Sequence, residues 1–67
     1  MTITVNNKKY RLFRGATVKD ALLRVFTREG HDRTLLDTVE AYDKWGHEID
    51  LDATLNEGSE ISYIIKE

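Results

Sequence analysis

His31 and His47 are the only imidazoles in this 67-residue chain. An imidazole can move a proton near neutral pH or bind a metal. Neither has a second histidine or a cysteine at ligand spacing, and both fall among turn-forming residues, so they read as exposed turn side chains. Asp50 and Asp52, with Asp43 upstream, are the other metal candidates. They lack the glycine and the terminal glutamate of a calcium loop, which leaves a solvated acidic turn. Serines and threonines are scattered without a paired histidine, so nucleophilic catalysis has no support. Gly15, Gly30, Gly46 and Gly58 stand apart and form no phosphate-cradling loop. The absence of cysteine excludes a disulfide framework, cysteine-ligated zinc or iron–sulfur, and thiol chemistry. No catalytic, cofactor-binding or metal-binding residue is assigned, no cofactor is expected, and the chain is not expected to be an enzyme.

Size points the same way. Residues 1–67 suffice for one domain, without room for both an enclosed active site and a scaffold to hold it. Hydrophobic residues at 40% and charged residues at 33% are ordinary for a folded globular domain. Without staples, such a domain depends on regular structure and good packing. Ten basic and twelve acidic residues are interspersed and give a net charge of −2. Nucleic acid is therefore not expected as a partner, because phosphate neutralisation needs a positive excess. Arg11, Arg14, Arg24, Arg28 and Arg33 form at most a modest basic patch, read as solvated surface. No apolar run approaches the roughly 20 residues of a membrane span. Met1-Thr2-Ile3-Thr4-Val5 lacks the basic and apolar regions of a signal peptide, so none is expected. A cytoplasmic protein away from membranes is the expectation.

The elements follow from periodicity. Ile3 and Val5, then Tyr10 and Leu12, alternate with polar neighbours at the period of a half-buried strand. Asn6-Asn7 supplies the turn between a first strand and a second running over Lys9–Phe13. Arg14-Gly15-Ala16 breaks the second strand. Thr17 caps a helix over Val18–Glu29, with Asp20 completing a capping box. Val18, Ala21, Leu22, Val25 and Phe26 make its apolar face, and Gly30 ends it in the left-handed conformation. His31–Asp37 reads as a loop or short helical turn. Thr38–Tyr42 is a third strand, Lys44–His47 a tight turn, and Glu48–Leu51 a short strand or extended piece. Thr54–Gly58 reads as one helical turn closed by Gly58. Glu60–Ile65 is the most β-prone run in the chain.

Neither hairpin nor helix can bury its apolar face alone. The economical solution is an α+β domain, a mixed four- to five-stranded sheet packed on one main helix, with the terminal strands adjacent and parallel at its centre. The expected core is Ile3, Val5, Tyr10, Leu12, Val18, Ala21, Leu22, Val25, Val39, Ala41, Leu51, Leu55, Ile61 and Tyr63. Alternation then sends Thr4, Arg11, Phe13, Glu40, Tyr42, Ser62 and Ile64 to the outer face. Phe13, Tyr42 and Ile64 are apolar or aromatic there, rimmed by Arg11 and Glu40, which is the anatomy of a protein–protein contact. The plainer alternative folds Phe13 over a sheet edge and leaves Ile64 a single surface residue. Trp45 is either a lid for its loop or an added anchor.

The order of these features resembles the ubiquitin-like β-grasp superfamily. Ile3–Tyr10 followed by Gly15–Leu23 resembles the opening of ThiS/MoaD-type sulfur carriers and of TGS domains. Ala41–Asp43, Ile49–Asp52 and Thr54–Ile61 resemble their later strand, turn and last strand. The resemblance covers nearly the whole chain and implies the β-grasp fold. It also implies carrier chemistry, which needs a C-terminal Gly-Gly to thread a partner enzyme's channel. This chain ends Ile65-Lys66-Glu67 and holds no Gly-Gly pair. The leading expectation is thus a non-enzymatic interaction module docking on a larger protein partner through the sheet face. A degenerate or truncated sulfur-carrier relative is the alternative. A TGS-like RNA- or nucleotide-associated domain, of the kind that assists a tRNA synthetase or a GTPase, is the second.

Overall fold

The computed structural model describes residues 1–66. Its first element is the expected hairpin, β1 (Thr2–Val5) and β2 (Lys8–Arg11), antiparallel with Val5 opposite Lys8. Asn6 and Asn7 take φ of 49° and 70°, as both central residues of a type I′ turn must. The Asn6 side-chain carbonyl also accepts the Tyr63 N–H at 3.2 Å, tying the turn to the far end of the chain. The regular ladder stops at Arg11, two residues before the expected end at Phe13. Leu12 is still bonded to Met1 (2.8 Å), but the Phe13 carbonyl accepts from Ala16 N–H at 3.2 Å, which turns the chain toward the helix.

Helix α1 spans Val18–Glu29, with the capping box formed as the sequence implied. Thr17 N–H donates to Asp20 Oδ2 at 2.9 Å, and Asp20 N–H donates to Thr17 Oγ1 at 3.4 Å. The first helical amides find further partners, Val18 N–H on the Ala53 carbonyl and Lys19 N–H on the Leu51 carbonyl, both at 2.9 Å. Two donors that a helix N-terminus leaves unpaired are thereby satisfied. Gly30 closes the helix at φ 76°, where a Cβ would be strained. A 3₁₀ segment, Arg33–Thr38, follows and buries Leu36. Three strands complete the chain: β3 (Val39–Asp43), β4 (Glu48–Ile49) and β5 (Glu60–Ile65). Among the described residues, no helix is long and apolar enough to cross a membrane.

The sheet order is β2-β1-β5-β3-β4. β1 and β5 run parallel, with Thr4 opposite Glu60 and Val5 opposite Ile61; the other pairs are antiparallel. This is the α+β, β-grasp-like arrangement, a mixed five-stranded sheet with one main helix. Eleven of the expected core residues are buried, while Val39, Leu51 and Tyr63 are only partly so. Ala16, Phe26 and Leu36 complete the core. Phe26 is the largest fully buried side chain, with ring centroids 5.3 Å from His31 and 5.6 Å from Tyr63.

Thr54–Gly58 departs from expectation, because it is not a helical turn. Thr54 bridges to Thr17, and Leu55 N–H donates to the Ala16 carbonyl at 2.9 Å. An extended path delivers Leu55 to the core while satisfying the backbone just before α1. The chain then reverses at Asn56–Ser59, closed by Ser59 N–H on the Asn56 carbonyl at 3.0 Å, with Gly58 at φ 81°. That is the third position of a type II turn, where glycine is favoured.

Phe26→Ala should cost about 3–5 kcal/mol, comparable with the total stability of a domain this small, roughly 0.05–0.15 kcal/mol per residue. It should abolish cooperative urea unfolding, whereas Phe26→Leu should keep it. Thr17→Ala should lower stability by about 1 kcal/mol through loss of the cap, read as a shifted urea midpoint by circular dichroism.

Candidate functional site

Register assembles the outer face. In the pairing of β3 with β5, Glu40 stands opposite Ile64 and Tyr42 opposite Ser62. Residues two apart on a strand share a face, so Glu40, Tyr42, Ser62 and Ile64 form one block. Ile64 is 52% exposed although β5 is the central strand of the sheet. Tyr42 and Glu40 are half-buried beside it. The Tyr42 hydroxyl donates to Glu40 Oε2 at 2.5 Å, and Lys66 Nζ lies 2.5 Å from Glu40 Oε1. Lys66 is itself anchored, its N–H donating to the Thr38 carbonyl at 2.9 Å.

Both oxygens of one carboxylate are thus occupied, and the electrostatics follow. Hydrogen bonds from Lys66 and then Tyr42 hold the Glu40 carboxyl below its ordinary range, against the opposing effect of burial. The same Glu40 bond raises the Tyr42 phenol, helped by burial, and raises the Lys66 ammonium. The result is a fixed chain Tyr42–Glu40–Lys66 along one side of Ile64.

The remaining predicted site residues lie elsewhere. Arg11 is exposed on the same face, but on β2, two strands from β5. Phe13 is 63% exposed, yet Arg11 pairs with Thr2 and Thr4 with Glu60. Counting along these registers puts Phe13 about eight residues, roughly 25 Å of strand rise, from the level of Ile64. The two do not share a patch. Trp45 is 70% exposed in a turn organised by Asp43, whose Oδ1 accepts the N–H groups of Trp45 and His47 at 2.9 Å. Those backbone bonds, His47 first, hold the Asp43 carboxyl low. Lys44 Nζ sits 4.7 Å from the Trp45 ring centre. Trp45 lines a cleft of about 350 Å³ together with Ile49, Leu55 and Ile61. That cleft lies at the end of the sheet near the start of α1, apart from Tyr42.

The histidines hold turn positions. His31 packs its ring against Phe26 in a T-shaped contact, and His47 Nδ1 is 3.6 Å from Asp43 Oδ2 with its side chain exposed. Asp50 and Asp52 are exposed. Among the described residues, no three His, Cys, Asp or Glu side chains gather as a metal-binding group. Sequence reasoning missed Lys66. The alternation Ser62, Ile64, Lys66 would have placed it on the outer face, had the last strand been followed one step further. No protein-family model matches the chain, and no curated protein matches it.

Because the folded Glu40 carboxyl titrates below its ordinary value of 4.5, its network stabilises the fold above that pH. The contribution is lost as pH falls through the lower folded value. Lys66→Gln should move the Glu40 titration up toward 4.5, read by carbon-detected NMR. Glu40→Gln should flatten the corresponding acid dependence of the urea midpoint.

Proposed function

We propose that this protein is a non-enzymatic, ubiquitin-like interaction module that docks on a larger protein through the outer face of its sheet. The observation that carries the reading is Ile64, more than half exposed on the central strand and flanked by the paired Tyr42–Glu40–Lys66 chain. An apolar centre beside a polar rim is what a docking patch requires. The rim is already ordered by its own bonds, so a partner meeting it would lose little side-chain freedom. Tyr42 adds a rigid amphipathic ring of the kind enriched at binding hot spots. Arg11 shares the face but lies level with residue 58, about six residues or roughly 20 Å of strand rise from Ile64, so it stands outside the patch with Phe13 and Trp45.

A photo-crosslinking amino acid at Ile64 tests the reading in cells of the native host. It should trap one discrete larger protein, whereas the same probe at Thr27, exposed on the far side of α1, should not. The double variant Tyr42→Asp, Ile64→Lys should lose capture of that partner with an unchanged circular dichroism spectrum. Equal capture by probes at Ile64 and Thr27, or by the double variant, would sink the face as the docking site.

A further inference from the structure

The two free edges of the sheet are built differently. At β4, Asp43 N–H donates to the His47 carbonyl at 2.8 Å, and Tyr42 stands opposite Glu48. Bonded and non-bonded pairs alternate along an antiparallel ladder, so only Glu48 turns its backbone groups outward. Just beyond Ile49 the chain folds back, with Ala53 N–H on the Asp50 carbonyl and the Leu51 and Ala53 carbonyls taken by α1 amides. That edge offers the outward groups of one residue and then ends.

The β2 edge is open. The Met1 ammonium donates to the Leu12 carbonyl at 2.6 Å, and Leu12 N–H donates to the Met1 carbonyl at 2.8 Å, so these two form a bonded pair. Alternation makes Tyr10 opposite Ile3 bonded, and Arg11 opposite Thr2 and Lys9 opposite Thr4 non-bonded. The other strand agrees. Thr4 N–H and the Thr2 carbonyl turn away from β2, to Ser59 and Gly58, both at 2.8 Å. Lys9 and Arg11 therefore direct their N–H and C=O groups out of the sheet, and both residues are exposed. Such an edge is a template for another strand.

Charge selects the occupant. Residues 1–36 hold eight Lys and Arg against three Asp and Glu, and residues 37–67 hold two against nine. Three of the four β2 residues are basic. Lys8 is paired with Glu29 at 3.1 Å, while Lys9 and Arg11 have no ion-pair partner among the described residues. A second copy joined β2 to β2 about Tyr10 would set Lys9 directly against Arg11, and like charges opposite one another are destabilising. We infer that the β2 edge takes an extended acidic segment of a partner protein as a sixth strand. The segment carries acidic side chains at positions i and i+2, opposite Lys9 and Arg11 on the outer face. Its residue i+1 is apolar and lies on the Tyr10 side. The site is distinct from the Ile64 patch and does not depend on it.

The probe is the peptide acetyl-Thr-Val-Glu-Val-Glu-Val-Thr-amide, titrated into the whole protein and followed by amide NMR and hydrogen exchange. It should slow exchange at Lys9 and Arg11 selectively, and added salt should weaken it. Lys9→Glu with Arg11→Glu, both exposed and away from the core, should lower affinity about tenfold or more. The Tyr42→Asp, Ile64→Lys variant should bind the peptide as the native protein does, so the face and edge proposals fail separately. Four results would overturn the inference. One is no slowing at Lys9 and Arg11; another is equal binding of the peptide with Lys in place of Glu. Concentration-dependent slowing at these amides in the protein alone would assign the edge to a second copy. A uridine oligonucleotide displacing the peptide would assign it to nucleic acid.

Discussion

The parallel pairing of β1 with β5 is the contact on which the rest of the structure depends. It sets Thr4 beside Glu60 and Val5 beside Ile61, joining segments from opposite ends of the chain. A parallel pair cannot be closed by a tight turn and needs a crossover. Everything between the hairpin and β5 serves as that crossover and must cover one face of the sheet as it goes. Helix α1 supplies the cover, with Val18, Ala21, Leu22, Val25 and Phe26 set over Ile3, Val5 and Ile61. Covering one face leaves the other open, and leaves the strands at the ends of the order as free edges.

Satisfying the backbone explains the less regular parts. The segment from Leu51 to Leu55 forms almost no ladder of its own, yet its carbonyls take the first amides of α1, and Leu55 returns a bond to Ala16. One extended stretch thereby caps the helix and buries a leucine just after the short β4 ends. No buried side-chain polar atom is left without a partner among the described residues, which a small core without disulfides requires. The open groups at Lys9 and Arg11 stand out against this background of completed bonds.

Local chemistry made much of this legible. Asn6-Asn7, Thr17 with Asp20, and Gly30 each specify a backbone conformation through a side chain within a few residues, so the hairpin and the limits of α1 could be read directly. The run Glu60–Ile65 was legible from its β-branched and aromatic content. What depends on long-range register was not. Thr54–Gly58 has the composition of a turn of helix, but pairing with Ala16 and Thr17 extends it. Phe13 alternates in phase with Tyr42 and Ile64, but alternation gives the face and not the level along the strand. Lys66 joins Glu40 only because β5 lies against β3. The charge division between the two halves of the chain was present in the sequence, but it gained meaning only when the topology put basic β2 at one edge.

Native-state hydrogen exchange tests the central role of the β1–β5 pair. Thr4 N–H, bonded to the Ser59 carbonyl at 2.8 Å, and Asn6 N–H, bonded to the Ile61 carbonyl at 3.0 Å, span the pairing directly. Both should exchange only through global unfolding, with the free energy and denaturant dependence of the whole domain, while amides of the β3–β4 turn exchange through smaller openings. If Thr4 and Asn6 instead open with those turn amides while the α1 amides stay protected, the helix and not the parallel pair is the element on which the fold depends.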